Sequence, residues 1–257
     1  MKALEKELKK IEKAEARMRQ QAEKKSDPAW KGKLEEKIPD KVMSGLQKAF
    51  SKAFYLIFEN GTVWIEKTYD RDSLEKDFMI KDYAVDIKGK RKELAKLKND
   101  VQGGNMLNTL LPTVEGVGLG ALGIGLPDIA LWTGMLLKGV YETALKYGFS
   151  YETPEEKLFI LHMLKASMLN GAGWTEANDA VDAYIREAGH HIPSSKELKA
   201  QIEDTANVFA TDMLVLKFIQ GLPVVGMFGG VGNPVYYQKI MKYVQLKYRK
   251  RYLLLKI

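Results

Sequence analysis

The sequence contains no cysteine, which excludes disulfides, cysteine-ligated zinc, thiol catalysis and iron–sulfur clusters. It has only three histidines, His162, His190 and His191, and no HExxH motif around them. Neighbouring residues cannot aim both rings at one ion as an i, i+4 pair on a helix does, so no metal site and no cofactor is expected. The phosphate-loop pattern GxxxxGK[ST] and the nucleophile-elbow pattern GxSxG are both missing. Sustained apolar–polar alternation of period two is missing as well, which removes the strands that a dinucleotide fingerprint needs. Gly118-x-Gly120-x-x-Gly123 therefore matches that fingerprint by letter only. The first residues, with Lys2, Glu5, Lys6 and Glu7, lack the apolar core of a signal peptide, so a cytoplasmic protein is expected.

What the chain does have is helical periodicity. At 257 residues it is long enough to bury a full core, and its abundance of Leu, Ala, Lys and Glu favours helices. Leu4, Leu8, Ile11, Met18 and Ala22 recur at helical spacing and predict an amphipathic N-terminal helix over residues 1–25, docked on a body formed by residues 26–257. A helix over 40–60 is expected to stop at Gly61, and one from Asp72, with Glu75 completing a capping box, to run to Lys98. Thr153-Pro154-Glu155-Glu156 is a strong helix start, and Ser194 with Glu197 is another; between them a short helix capped by Thr175 is expected. The fold class is thus all-α, with one multi-helix domain.

Two apolar stretches, Gly116 to Leu137 and Phe218 to Gln238, stand out against this charged background, and each carries Gly-Leu-Pro. Gly116 to Gly139 and Gly221 to Gly232 together hold 12 of the 22 glycines, far more than a helical core tolerates without a need for close backbone approach. Pro127 and Pro223 interrupt the stretches, and Asp128 would be costly in lipid, so they read as two broken, glycine-packed helical hairpins rather than membrane spans. Reversible insertion into a membrane is the sharper alternative. Asp128, just past its break, suits the cap of the following helix.

The net charge of +7 is unevenly distributed. Residues 239–257 carry seven basic side chains (Lys239, Lys242, Lys247, Arg249, Lys250, Arg251 and Lys256) and no acid; the other 238 positions hold 33 basic and 33 acidic residues. Tyr248 and Tyr252 are interleaved with these cations, a composition suited to an interface that is half apolar and half polar. The expected partner is an anionic membrane surface, with nucleic acid disfavoured because no recognition motif accompanies the tail.

The run Gly120-Ala121-Leu122-Gly123-Ile124-Gly125-Leu126-Pro127-Asp128, then Tyr141-Glu142, Tyr147-Gly148-Phe149 and Pro154-Glu155-Glu156, resembles the EcsC family of bacterial proteins. Pro223-Val224-Val225-Gly226 with Gly229, Gly232 and Asn233 is similar to that family's C-terminal glycine motif, and the resemblance spans about residues 30–252, with the first 25 residues adding little. It implies a protein at the inner face of the cell membrane, linked to an ABC transporter or an envelope process, and supplies no catalytic residues. The expected function is that of a non-enzymatic accessory protein binding membrane or a transporter subunit. A hydrolase acting on lipid or peptide through Asp128 and a histidine is the alternative.

Overall fold

The computed structural model describes residues 2–24, 38–61, 65–102, 127–187, 191–219 and 232–257. Among them the chain is all helical, with no strand. In order the helices are α1 (Lys2–Lys24), α2 (Asp40–Leu56), α3 (Arg71–Lys88), α4 (Arg91–Gln102), α5 (Pro127–Lys146), α6 (Pro154–Met168), α7 (Gly171–Arg186), α8 (Ser195–Ile219) and α9 (Gly232–Lys256); a π turn, Ile57–Gly61, extends α2.

Helix α6 sits at the centre: ten of its 15 residues are buried, and Glu155, His162 and Lys165 share a partly exposed side. It packs against α7, α8 and α9, while α5 packs against α2, α3 and α9. The two halves share one core, and its densest part is aromatic. Phe209 of α8 lies 5.7 Å from Phe50, 5.6 Å from Phe54 and 5.6 Å from Trp132 between ring centroids, joining α2, α5 and α8.

Several predicted starts and stops are present. The Thr153 side chain accepts a hydrogen bond from the Glu156 N–H at 3.2 Å, and Ser194 accepts one from the Glu197 N–H at 3.2 Å. Others differ. The helix expected from Asp72 begins one residue earlier, because Asp70 accepts from the Ser73 N–H at 2.9 Å and is the working cap. It does not run to Lys98. Gly89 takes the left-handed conformation, φ 54°, and its N–H bonds back to Val85, so the chain turns there and restarts as α4. Helix α7 starts at Gly171, with Asn170 before it, rather than at Thr175.

Gly148 also has positive φ, 78°, at the end of α5, and a methyl group added there would overlap the Phe78 ring of α3. Both effects penalise any side chain. Gly148→Ala is expected to lose roughly 2–4 kcal/mol, read as a lowered denaturation midpoint; a loss below about 0.5 kcal/mol would show that α3 moves aside freely.

Candidate functional site

The basic residues of α9 turn inward. Lys247 has no exposed surface, and its Nζ donates to Glu15 of α1 and, at 2.6 Å, to Asp182 of α7. One turn on, Lys250 donates to the same two carboxylates at 2.6 and 2.9 Å. Two ammonium groups and two carboxylates thus form a neutral cluster where α1, α7 and α9 meet. Arg249 donates to Glu7 of α1. Arg251 reaches Glu156 at 2.6 Å and stacks over Phe149, 4.2 Å from its ring centre, while the Tyr248 hydroxyl donates to the same Glu156 at 2.6 Å. Tyr252 donates to Asp82 at 2.8 Å, and Lys256 bridges Asp82 and Asp86.

Of the eight side chains that the sequence nominates for membrane or partner binding, Lys239 and Lys242 are exposed. They border a cavity of about 200 Å³ with Met18, Gln21, Trp174 and Tyr243. This is below the roughly 300–1,000 Å³ of ordinary small-molecule sites. Lys239 also donates to the Met168 carbonyl at 3.3 Å.

Helix α1 combines this ionic contact with an apolar one: Ile11 and Ala22 are buried, and Ala3, Leu4, Leu8 and Met18 pack half-buried against the core. Burial pushes the Glu7 carboxyl up, but the Lys10 hydrogen bond and the Arg249 charge outweigh it and hold the group below its ordinary range. At Asp182 burial is likewise outweighed, chiefly by Lys247. For carboxyls lowered in the folded state, the stabilisation is complete above the unfolded pKa and is lost as pH falls through the folded value. The melting temperature is therefore expected to fall as pH drops below about 4, and Glu7→Gln with Asp182→Asn should flatten that slope. An unchanged slope would mean that other carboxylates govern acid unfolding. Glu156, pushed up by burial, has the opposite sign, and it belongs to the α6–α9 contact rather than to α1.

The second polar cluster involves the Tyr141-Glu142 motif. Tyr141 stacks on Tyr151, ring centroids 4.2 Å apart and 11° from parallel. The Tyr151 hydroxyl donates to Glu66 and accepts from Tyr69 at 2.8 Å, and Arg71 grips Glu152 with two bonds of 2.9 and 3.1 Å. Lys138, buried in α5, donates to the Thr68 carbonyl at 3.1 Å and lies 3.7 Å from Glu142, whose carboxyl is pushed up by burial. Burial also pushes the phenols of Tyr69, Tyr141 and Tyr151 up. Apart from the Tyr141 hydroxyl, which has no partner among the described residues, these groups satisfy one another. Their arrangement fastens the start of α3 to α5.

Gly120, Gly123, Gly125, Gly221, Pro223 and Gly226, and with them half of the first predicted hairpin and most of the second, lie outside the described residues. Pro127 is the first residue of α5, Asp128 follows it, and Asn233 is in the first turn of α9; the side chains of all three lie outside the description. Of the histidines available to the hydrolase alternative, His162 is partly buried in α6, with burial as the main cause of its lowered pKa, and His191 is exposed beside Glu197 at 3.0 Å. His190 is not among the described residues. No group of three or more His, Asp or Glu side chains able to hold a metal occurs among the described residues.

One surface was missed by the sequence reading. The chain at 88–98 holds Lys88, Lys90, Arg91, Lys92, Lys96 and Lys98 against the single acid Glu93, a charge run as dense as that of α9. It follows a helix that is apolar on two sides, and both signals could have been read from the sequence.

The fold and these clusters define an all-α protein whose first and last helices are clamped together by buried charge. The chain belongs to the EcsC protein family: the family model matches residues 3–253. The match begins well before residue 30, so α1 is part of the family unit and not an addition to it. No curated protein and no solved structure gives a match.

Proposed function

We propose that this protein is a non-enzymatic accessory protein that works at the cytoplasmic face of a membrane, in the service of an ABC transporter or an envelope process. The observation that carries the reading is a set of large apolar side chains left in water: Met79, Ile80, Tyr83 and Ile87 of α3 are each more than 60% exposed. A contiguous exposed apolar patch on a soluble fold marks a surface that meets a partner or a membrane. Attachment would be peripheral. Among the described residues no helix is long and apolar enough to cross a membrane.

Fractionation of cells expressing the full chain tests this directly. The protein is expected to sediment with membranes and to be released by high salt or carbonate. Recovery entirely in the soluble fraction would overturn the proposal.

A further inference from the structure

We infer that the outward face of α3, together with the α3–α4 corner, is the surface by which the protein lies on anionic phospholipid. This rests on the membrane reading above and adds to it the face and the lipid class.

Helix α3 has two apolar sides. Leu74, Phe78 and Val85 point to the core, whereas Ile80, Tyr83 and Ile87 follow Lys76 at spacings of four, three and four and so line the opposite side. The outer four apolar residues, Met79 included, make up four of the nine large hydrophobic side chains exposed among the described residues, so the exposure is concentrated rather than scattered. The inner side is covered by the core, and the outer side is open.

The positive charge lies at the C-terminal end of the stripe, where Gly89 turns the chain and Lys88, Lys90 and Lys92 are exposed around the turn. Arg91 is engaged with Glu7, and Lys96 with Glu93. Of the acids on the flanks of α3, Asp82 and Asp86 share Lys256, and Asp77 lies 3.8 Å from Lys81, which also pairs with Asp100. Asp72, at the far end in the first turn, is the remaining exposed acid of the helix. Side chains of this type sink apolar groups to the depth of the acyl boundary while the lysines meet phosphate headgroups. Tyrosine suits the intermediate layer.

A second copy of the chain fits less well. A two-fold interface centred on the stripe would bury Lys76 against the apolar side chains of the other copy. Nucleic acid would use the lysines and leave four apolar side chains without a role.

The test is flotation of the full chain with vesicles made of equal parts phosphatidylcholine and phosphatidylglycerol, against pure phosphatidylcholine. Binding is expected to the anionic vesicles only and to weaken with salt. Lys88→Gln, Lys90→Gln and Lys92→Gln together should weaken it about a hundred-fold, since each basic side chain near the surface contributes about fivefold. Ile80→Ser with Ile87→Ser should reduce it by a similar factor, and Lys239→Gln with Lys242→Gln should leave it within about twofold. Circular dichroism establishes that each variant is folded, which is expected because the altered residues are exposed. If the wild type binds and the α3–α4 variants bind equally well, the face is wrong and the membrane reading stands. If the wild type binds neither vesicle, the membrane reading itself fails. Light scattering that shows a dimer dissociated by the Ile80 and Ile87 changes would assign the face to self-association and overturn the lipid proposal.

Discussion

Lys247→Ala is expected to destabilise the protein by about 3–5 kcal/mol, measured as the shift in chemical denaturation, because it removes one cation from a cluster that excludes water. Lys247 is fully buried, and Glu15 and Asp182 are each more than four-fifths buried, so the two carboxylates would be left to share Lys250. Their repulsion and unpaid desolvation make up most of the loss. The lysine stem is also lost from its place beside the Tyr243 ring, 5.4 Å from Nζ to the ring centre. Lys247→Met combined with Glu15→Gln, which restores charge balance and volume, is expected to recover part of the loss. A shift below about 1 kcal/mol for Lys247→Ala would mean that water enters the cluster and that α1 is only loosely docked.

The other large effect lies in the aromatic core. Phe209→Ala removes the ring that touches Phe50, Phe54 and Trp132 at once, and α2, α5 and α8 lose their common contact. Phe/Trp→Ala changes in cores cost about 3–5 kcal/mol, which for a chain of this size is a fall in melting temperature of about 6–20 °C. Phe209→Leu fills part of the space and should cost less than half as much. Similar losses for the two variants would indicate that edge-on ring geometry, rather than volume, stabilises the site. The two sites, Lys247 and Phe209, also test different things, a buried ionic cluster in the first case and apolar packing in the second.

The parts of the fold that were legible in the sequence are local. Thr153-Pro154 and Ser194 fix helix starts through atoms three residues apart, so a reader of the sequence sees donor and acceptor together. The Gly89 break is equally local, and it was missed because Asp72 and Glu75 suggested one long helix; a lone glycine between two periodic runs was the sign of a left-handed stop. The charge of the last helix was a different matter. Its basic run is plain in the sequence, but the acids that neutralise it come from α1, α3, α6 and α7, up to 242 positions away. Counting charge along the chain places the whole excess of +7 on α9, whereas pairing in three dimensions spends Glu7, Glu15, Asp82, Asp86, Glu156 and Asp182 on it. The exposed lysines Lys88, Lys90 and Lys92 lie instead at the α3–α4 corner.

The contact between α1 and α9 also constrains the order in which the protein can be made. Glu15 leaves the ribosome 232 residues before its partner Lys247. At translation rates of roughly 5–20 residues per second that is an interval of about 12–46 s. During it α1 can meet α4 and α7 but lacks the α9 cations that pair with Glu7 and Glu15. The helices of the body can gather meanwhile, but α6 keeps one side uncovered until α9 arrives, and α9 carries cations that can be buried only if α1 has waited nearby. Completion of the core is thereby tied to a segment synthesised 232 residues after Glu15, and a nascent chain arrested before Lys247 should remain open, protease-sensitive and a substrate for chaperones.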